Sequence, residues 1–141
     1  MKLISKICPI CGEKVYLKME DNAYERWKRY VAYGGIVQKA FRELDVFQRD
    51  FIKTGYCPKC QEMLFENEWK NKEPFIFQNE LNTERIDAFM EATRDLDPES
   101  SILSGAAEKL SVAEKLVYLY EMNLDELEVL EDGTVRKKEM P

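Results

Sequence analysis

The residues best equipped for chemistry in this chain are its four cysteines, which fall into two Cys-x-x-Cys steps, Cys8-Pro9-Ile10-Cys11-Gly12 and Cys57-Pro58-Lys59-Cys60. Two thiolates two residues apart can grip one metal ion from a tight turn. Proline biases each backbone into that turn, and Gly12 supplies the permissive φ just after it. Four cysteines around zinc complete a tetrahedron and leave no position for a substrate, so Cys8, Cys11, Cys57 and Cys60 are the expected ligands of a structural zinc ion. Two redox dithiols or two disulfides are the competing readings. Redox Cys-x-x-Cys steps normally open a helix inside a strand–helix–strand unit, and no such pattern surrounds either step. Zinc is the expected cofactor.

Forty-five residues separate Cys11 from Cys57, against roughly 15–20 in a compact zinc-ribbon signature. A folded insertion must therefore bring the two steps together. Each doubling of a loop adds only about 0.6 kcal/mol of closure entropy, so a long insertion is tolerated if it packs.

Other catalytic apparatus is sparse. The chain has no histidine, which excludes Ser-His-Asp and Cys-His nucleophiles, removes zinc-hydrolase ligand sets and takes away the commonest general base. Paired carboxylates raise a magnesium site or acid–base catalysis, but no glycine-rich phosphate loop or carboxylate signature accompanies them. The sequence predicts a protein that is not an enzyme.

The supporting elements can be read in order. Lys2 to Ile7 and Lys14 to Met19 read as a short hairpin with the first knuckle at its tip. Asp21 or Asn22 caps a helix in which Tyr24, Trp27, Tyr30 and Val31 recur at helical spacing. That stripe is a core face, or a base-stacking face with Arg26, Lys28 and Arg29 beside it. Gly34-Gly35 breaks the helix, and Ile36, Val37, Ala40, Phe41 and Leu44 make another apolar face. Asp45 caps a short helix that Gly55 stops, delivering the chain into the second knuckle. A polar stretch from Glu66 to Glu73, interrupted by Pro74, marks a junction, with domains expected over 1–70 and 71–141. Phe75-Ile76-Phe77 is a strand or a hydrophobic clip onto the first domain. Thr83 reads as the N-cap of a helix through Leu96, and further helices are expected from Glu99 to Leu110 and after the capping box Ser111-Val112-Ala113-Glu114. Asp132-Gly133 signals a closing hairpin. The fold class is α+β: a zinc-ribbon-like domain with a helical insertion between its knuckles, then an acidic three-helix unit ending in a β-hairpin.

A CPxCG knuckle (Cys8 to Gly12), a helical insertion bearing Trp27, a short helix ending in Gly55, and a CPxC step (Cys57 to Cys60) followed by Met63-Leu64-Phe65 together resemble the small zinc-ribbon proteins of phages and other mobile elements. The resemblance covers the first half of the chain. It implies zinc at the four cysteines and leaves function open. Gln61 departs from the pattern, where a second glycine often follows the knuckle.

Length and charge bound the rest. One hundred and forty-one residues, 45% hydrophobic and 34% charged, suit one soluble globular domain or two small ones. No apolar run approaches the roughly 20 residues of a membrane span. The opening Met1-Lys2-Leu3-Ile4-Ser5-Lys6 is too quickly polar for a signal peptide, and thiolate ligands fit a reducing cytosol, so a cytoplasmic location is expected. Residues 1–60 carry twelve Lys/Arg against seven Asp/Glu; residues 61–141 carry nine against twenty.

Three helices and a hairpin is also the order of a winged helix, yet the third helix offers Lys115 between Glu114 and Glu121, a poor surface for phosphates. An acidic module better suits a basic protein surface, such as the nucleic-acid channel of a host enzyme or regulator. Asp125, Glu126, Glu128, Glu131 and Asp132 are the candidate partner-binding residues. The expectation is thus a non-enzymatic, zinc-stabilised interaction module, a phage-type inhibitor or modulator of a nucleic-acid-handling host protein. The alternative is a nucleic-acid-binding regulator using the basic, aromatic zinc domain.

Overall fold

The computed structural model describes residues 2–138 of an α+β chain. Met1 and residues 139–141, the outermost parts of the two expected domains, lie outside the described residues. Apolar segments early in the chain form β1 (Lys2–Ile7), β2 (Lys14–Met19) and β3 (Phe75–Phe77), joined in one sheet in the order β1-β2-β3. β2 runs antiparallel to β3, with Val15 opposite Phe77, Tyr16 opposite Ile76 and Leu17 opposite Phe75. Val15, Tyr16 and Leu17 are all buried. A central strand covered on both faces has no reason to alternate polar and apolar residues, which is why its pattern in the sequence is only partial.

Four helices lie between β2 and β3: α1 (Asp21–Tyr33), α2 (Val37–Ala40), α3 (Val46–Thr54) and α4 (Pro58–Phe65). The cap of α1 is Glu20 rather than Asp21 or Asn22, and it makes no side-chain hydrogen bond. Asp21 instead lies in the first turn, where a carboxylate favours the positive end of the helix dipole. α3 begins as its sequence predicts. The Gln48 backbone N–H donates to Asp45 Oδ1 at 2.9 Å, and the Asp45 N–H donates to Gln48 Oε1 at 2.8 Å, satisfying two otherwise orphaned donors. It ends at Gly55, which takes φ +81° and donates to the Phe51 carbonyl. A side chain there would be strained, and its Cβ would meet the Lys6 stem at 3.4 Å.

The core beneath these helices centres on Val15, Leu17, Phe41, Phe51 and Phe77. Phe75 stands edge-on to both Phe51 and Trp69, with ring centroids 5.6 and 5.9 Å away. Tyr24, Trp27 and Tyr30 pack against this core, while Val31 is exposed.

The chain divides into two units, one spanning Ile4–Asn79 and the other comprising Met1–Leu3 with Glu80–Pro141. The division falls further along than the 70/71 junction read from the sequence. Pairing of β3 with β2 and burial of Trp69 keep residues 69–77 with the first unit.

The second unit contains α5 (Thr83–Ala92), α6 (Pro98–Leu103), a 3-10 segment (Gly105–Lys109), α7 (Val112–Glu121) and a hairpin of β4 (Leu127–Val129) and β5 (Val135–Lys137). Three boundaries differ from expectation. Asn82, not Thr83, caps α5, accepting from the Arg85 N–H at 3.0 Å. α5 stops at Ala92 instead of reaching Leu96, and Thr93 Oγ1 donates back to the Phe89 carbonyl at 2.7 Å, a hydroxyl competing for backbone partners. The helix expected over 99–110 is broken at Ser104, whose extended backbone (ψ 162°) separates α6 from the 3-10 segment. Ser111 and Glu114 form the reciprocal capping box that their spacing predicts. The hairpin turn has Gly133 at φ +89°. Phe89, Ile102, Leu110, Tyr118 and Leu119 form this unit's core.

Candidate metal centre

The first cysteine pair sits on the turn between β1 and β2. The Cys8 N–H donates to the Glu13 carbonyl at 2.9 Å, and the Gly12 N–H donates to the Cys8 carbonyl at 2.8 Å. Gly12 at φ +77° lets the chain double back within five residues. The second pair opens α4, with Cys57 as N-cap and Pro58 in the first turn, where its missing N–H costs no helical bond. So this step does start a helix. Its neighbours are α3 and an antiparallel sheet, not the strand–helix–strand unit of redox dithiols.

α1, α2 and α3 fold back so that the two steps meet. The four Sγ atoms all lie within 4.8 Å of one another, and those of Cys11 and Cys57 are 3.8 Å apart. Metal–sulfur bonds of about 2.3 Å in a tetrahedron place sulfurs about 3.8 Å apart, so the cluster matches a single ion of that size with slight contraction. No cysteine is in a disulfide; Cys8, Cys57 and Cys60 are buried and Cys11 is exposed. The four cysteines can hold one metal ion and leave it no open position.

Backbone donors aim at the sulfurs. The Cys57 N–H points to Cys8 Sγ and the Cys60 N–H to Cys57 Sγ, each at 3.4 Å. Burial alone would raise the Cys8 thiol, but N–H groups of Cys57, Cys11 and Ile10 outweigh it and bring its pKa down to about 6. Burial pushes the Cys57 and Cys60 thiols up. The cluster therefore needs a cation to become fully ionised, as a coordinating metal does outright.

Gln61 is the supporting residue that sequence reasoning missed. It is 1% exposed, and its Nε2 donates to the carbonyls of Phe47 at 3.0 Å and Tyr56 at 2.8 Å. One amide thus ties α4 to α3 and to the residue before Cys57. The position where the resemblance favours glycine carries a clamp, and only the three-dimensional neighbours of Gln61 reveal it. Lys6 adds a second tie, its Nζ donating to the Ile52 carbonyl at 2.7 Å.

The candidate partner-binding carboxylates all lie at the hairpin, and several have local partners. Asp125 pairs with Lys2 at 3.3 Å, Glu128 with Arg136 at 2.8 Å, and Asp132 Oδ1 accepts from the Thr134 N–H at 2.9 Å. Glu126 and Glu131 are exposed and make no ion pair among the described residues. On α1, Arg26 is held by Glu43 and the Ala40 carbonyl, and Tyr24 stacks on Trp27 with ring centroids 5.5 Å apart. α7 is buried from Glu114 to Leu119. No described helix is long and apolar enough to cross a membrane.

Among known proteins, the chain is 32% identical over 124 residues to "Uncharacterized peptidase RP174" of Rickettsia prowazekii (strain Madrid E). The match covers 82% of this chain and 16% of the relative, so the chain spans less than a fifth of that protein's length. No family model matches the chain. No solved structure matches it. The similarity corrects the expectation that the chain is not an enzyme, because the relative bears the name peptidase; the missing histidine argues only against particular mechanisms.

Proposed function

We propose that the ion is zinc and that the first unit is a zinc-ribbon-like scaffold with a helical insertion, making the chain a zinc-stabilised protein-interaction module. The observation that carries this reading is the closed set of four sulfurs within 4.8 Å. Thiolate ligands in a tetrahedron select zinc over the hard cations, and a site with four protein ligands stabilises a fold without binding substrate. What remains for recognition is surface. Glu126 and Glu131 project at the hairpin of the half of the chain with twenty acidic and nine basic residues. A basic protein surface, such as the channel of a nucleic-acid-handling protein, is the complementary partner. The phage-type modulator is the form of this proposal that the knuckle resemblance favours.

The test is capture of partners by tagged chain at about 50 and 500 mM salt, alongside Glu126→Lys/Glu131→Lys. Basic proteins retained at low salt, released at high salt and lost in the double variant support the proposal. Capture indifferent to charge reversal counts against it.

The similarity to a protein named as a peptidase favours a second reading, that this chain contributes to peptide hydrolysis. It is tested by incubating the purified, metal-loaded chain with a mixture of synthetic peptides and following cleavage by mass spectrometry. Products that disappear with Cys60→Ser support it; intact peptides after prolonged incubation contradict it.

A further inference from the structure

The second unit has a concavity of about 310 Å³ between α5 and the 3-10 segment, lined by Arg85, Ala88, Phe89, Ala92, Lys109 and Leu110, with Ala106 opposite. Its size is at the lower end of ligand pockets, which run from about 300 to 1,000 Å³. Residues 85, 88, 89 and 92 fall on one face of α5, and 106 and 109 follow the three-residue repeat of the facing segment. The space exists because three alanines line it where larger side chains would fill it. Its floor is firm: Phe89 and Leu110 are each 5% exposed, and Phe89 stands edge-on to Tyr118 at 5.1 Å.

Two cations line this apolar hollow. The Lys109 side chain makes no hydrogen bond or ion pair among the described residues, and the residue is exposed. Arg85 is held through its Nε, 3.3 Å from Glu114 Oε1, and its side chain remains 45% exposed. Glu114 is itself immobilised, 1% exposed and fixed by the Ser111 N–H at 2.7 Å. The guanidinium is thus anchored on one edge and part-exposed. In a half of the chain dominated by carboxylates, two cations sharing an apolar cavity are a local reversal of charge.

We propose that this pocket binds the carboxy-terminal residue of a peptide, its carboxylate taken by Arg85 and Lys109 and its apolar side chain lying against Ala88, Ala92, Phe89 and Leu110. A guanidinium matches a carboxylate with paired N–H groups, and apolar walls strengthen that contact while disfavouring strongly hydrated anions such as phosphate. The small volume suits one apolar side chain and excludes a long acyl chain. This site is separate from the acidic hairpin and stands or falls independently of it.

The experiment is a titration of isotope-labelled full chain, followed by amide NMR shifts, with N-acetylphenylalanine, its uncharged amide, and hexanoate. N-acetylphenylalanine should shift Ala88, Ala92 and Ala106 saturably, with the amide and hexanoate at least about tenfold weaker. Arg85→Gln and Lys109→Gln should each weaken binding about tenfold. Ala92→Trp, at an exposed helical position, should abolish it while leaving the thermal melt in place; Ala106→Phe serves if Ala92→Trp fails to fold. Equal binding of acid and amide, shifts confined to other residues, or binding that survives a filled pocket would overturn the proposal. Hexanoate binding as tightly as N-acetylphenylalanine would overturn its assignment to a peptide end.

Discussion

The sulfur atoms of Cys11 and Cys57 lie 3.8 Å apart although forty-five residues intervene between them. That approach is produced by a packed insertion, α1 to α3, and not by local turn geometry. Sulfurs this close, with backbone donors trained on two of them, form a cluster whose full ionisation calls for a bound cation.

Removing a ligand should therefore unravel the first unit. Cys60→Ser replaces a buried thiolate at the start of α4 and should cost several kcal/mol, since metal binding in such sites is folding free energy. Chemical denaturation followed by the fluorescence of Trp27 and Trp69, with and without chelator, measures it. Parent protein stripped of metal should resemble Cys60→Ser.

Gln61→Ala should be costly for a residue beside the ligands. The buried Phe47 carbonyl and the part-buried Tyr56 carbonyl lose their side-chain donor, at about 1–3 kcal/mol by the usual penalty for unsatisfied groups. Gln61→Glu should be worse at neutral pH, because it adds a buried charge facing two acceptors. Denaturation midpoints of the three proteins rank these effects.

The Arg26–Glu43 pair predicts a modest pH dependence. Hydrogen bonding to Arg26 holds the Glu43 carboxyl below its ordinary value of 4.5. A depressed folded pKa contributes stability present above the unfolded value and lost as pH falls through the folded one. Both side chains are part-exposed, so the contribution is about 0.5 kcal/mol. Glu43→Gln should fall short of the parent by this amount at pH 7, and the gap should close below pH 4. Paired urea titrations check it, since acid loss of metal affects both proteins alike.

In the second unit, Ser111→Ala should destabilise by about 1 kcal/mol, because the Glu114 backbone N–H at the start of α7 loses its acceptor. The effect should appear in amide hydrogen exchange of α7 and leave metal content unchanged.

Much of this was legible in the residues. The cysteine steps, the Asp45 and Ser111 caps, the Gly55 stop and the Asp132-Gly133 turn are local signals with local physical causes. What escaped the sequence depends on partners distant in the chain. Trp69 looked like part of a polar linker because its neighbours are charged, yet it is buried against Phe75 and Phe77. Gln61 reads as a surface residue until its two carbonyl partners are in view. Ser104 ends α6 with no proline to announce it. The pocket at Arg85 is defined by three alanines, and small side chains carry no signal of the space they leave. The absence of histidine bears on particular mechanisms and was too narrow a basis for denying enzymatic activity, an expectation that the similarity to a peptidase-named protein overturns.

The most direct test of the central claim is native mass spectrometry of the chain purified without chelator. The mass should exceed that of the polypeptide by one zinc ion less the two protons that balance its charge, and the ion should be absent from Cys60→Ser. A metal-free native mass, or zinc retained undiminished in that variant, would contradict the closed four-sulfur site.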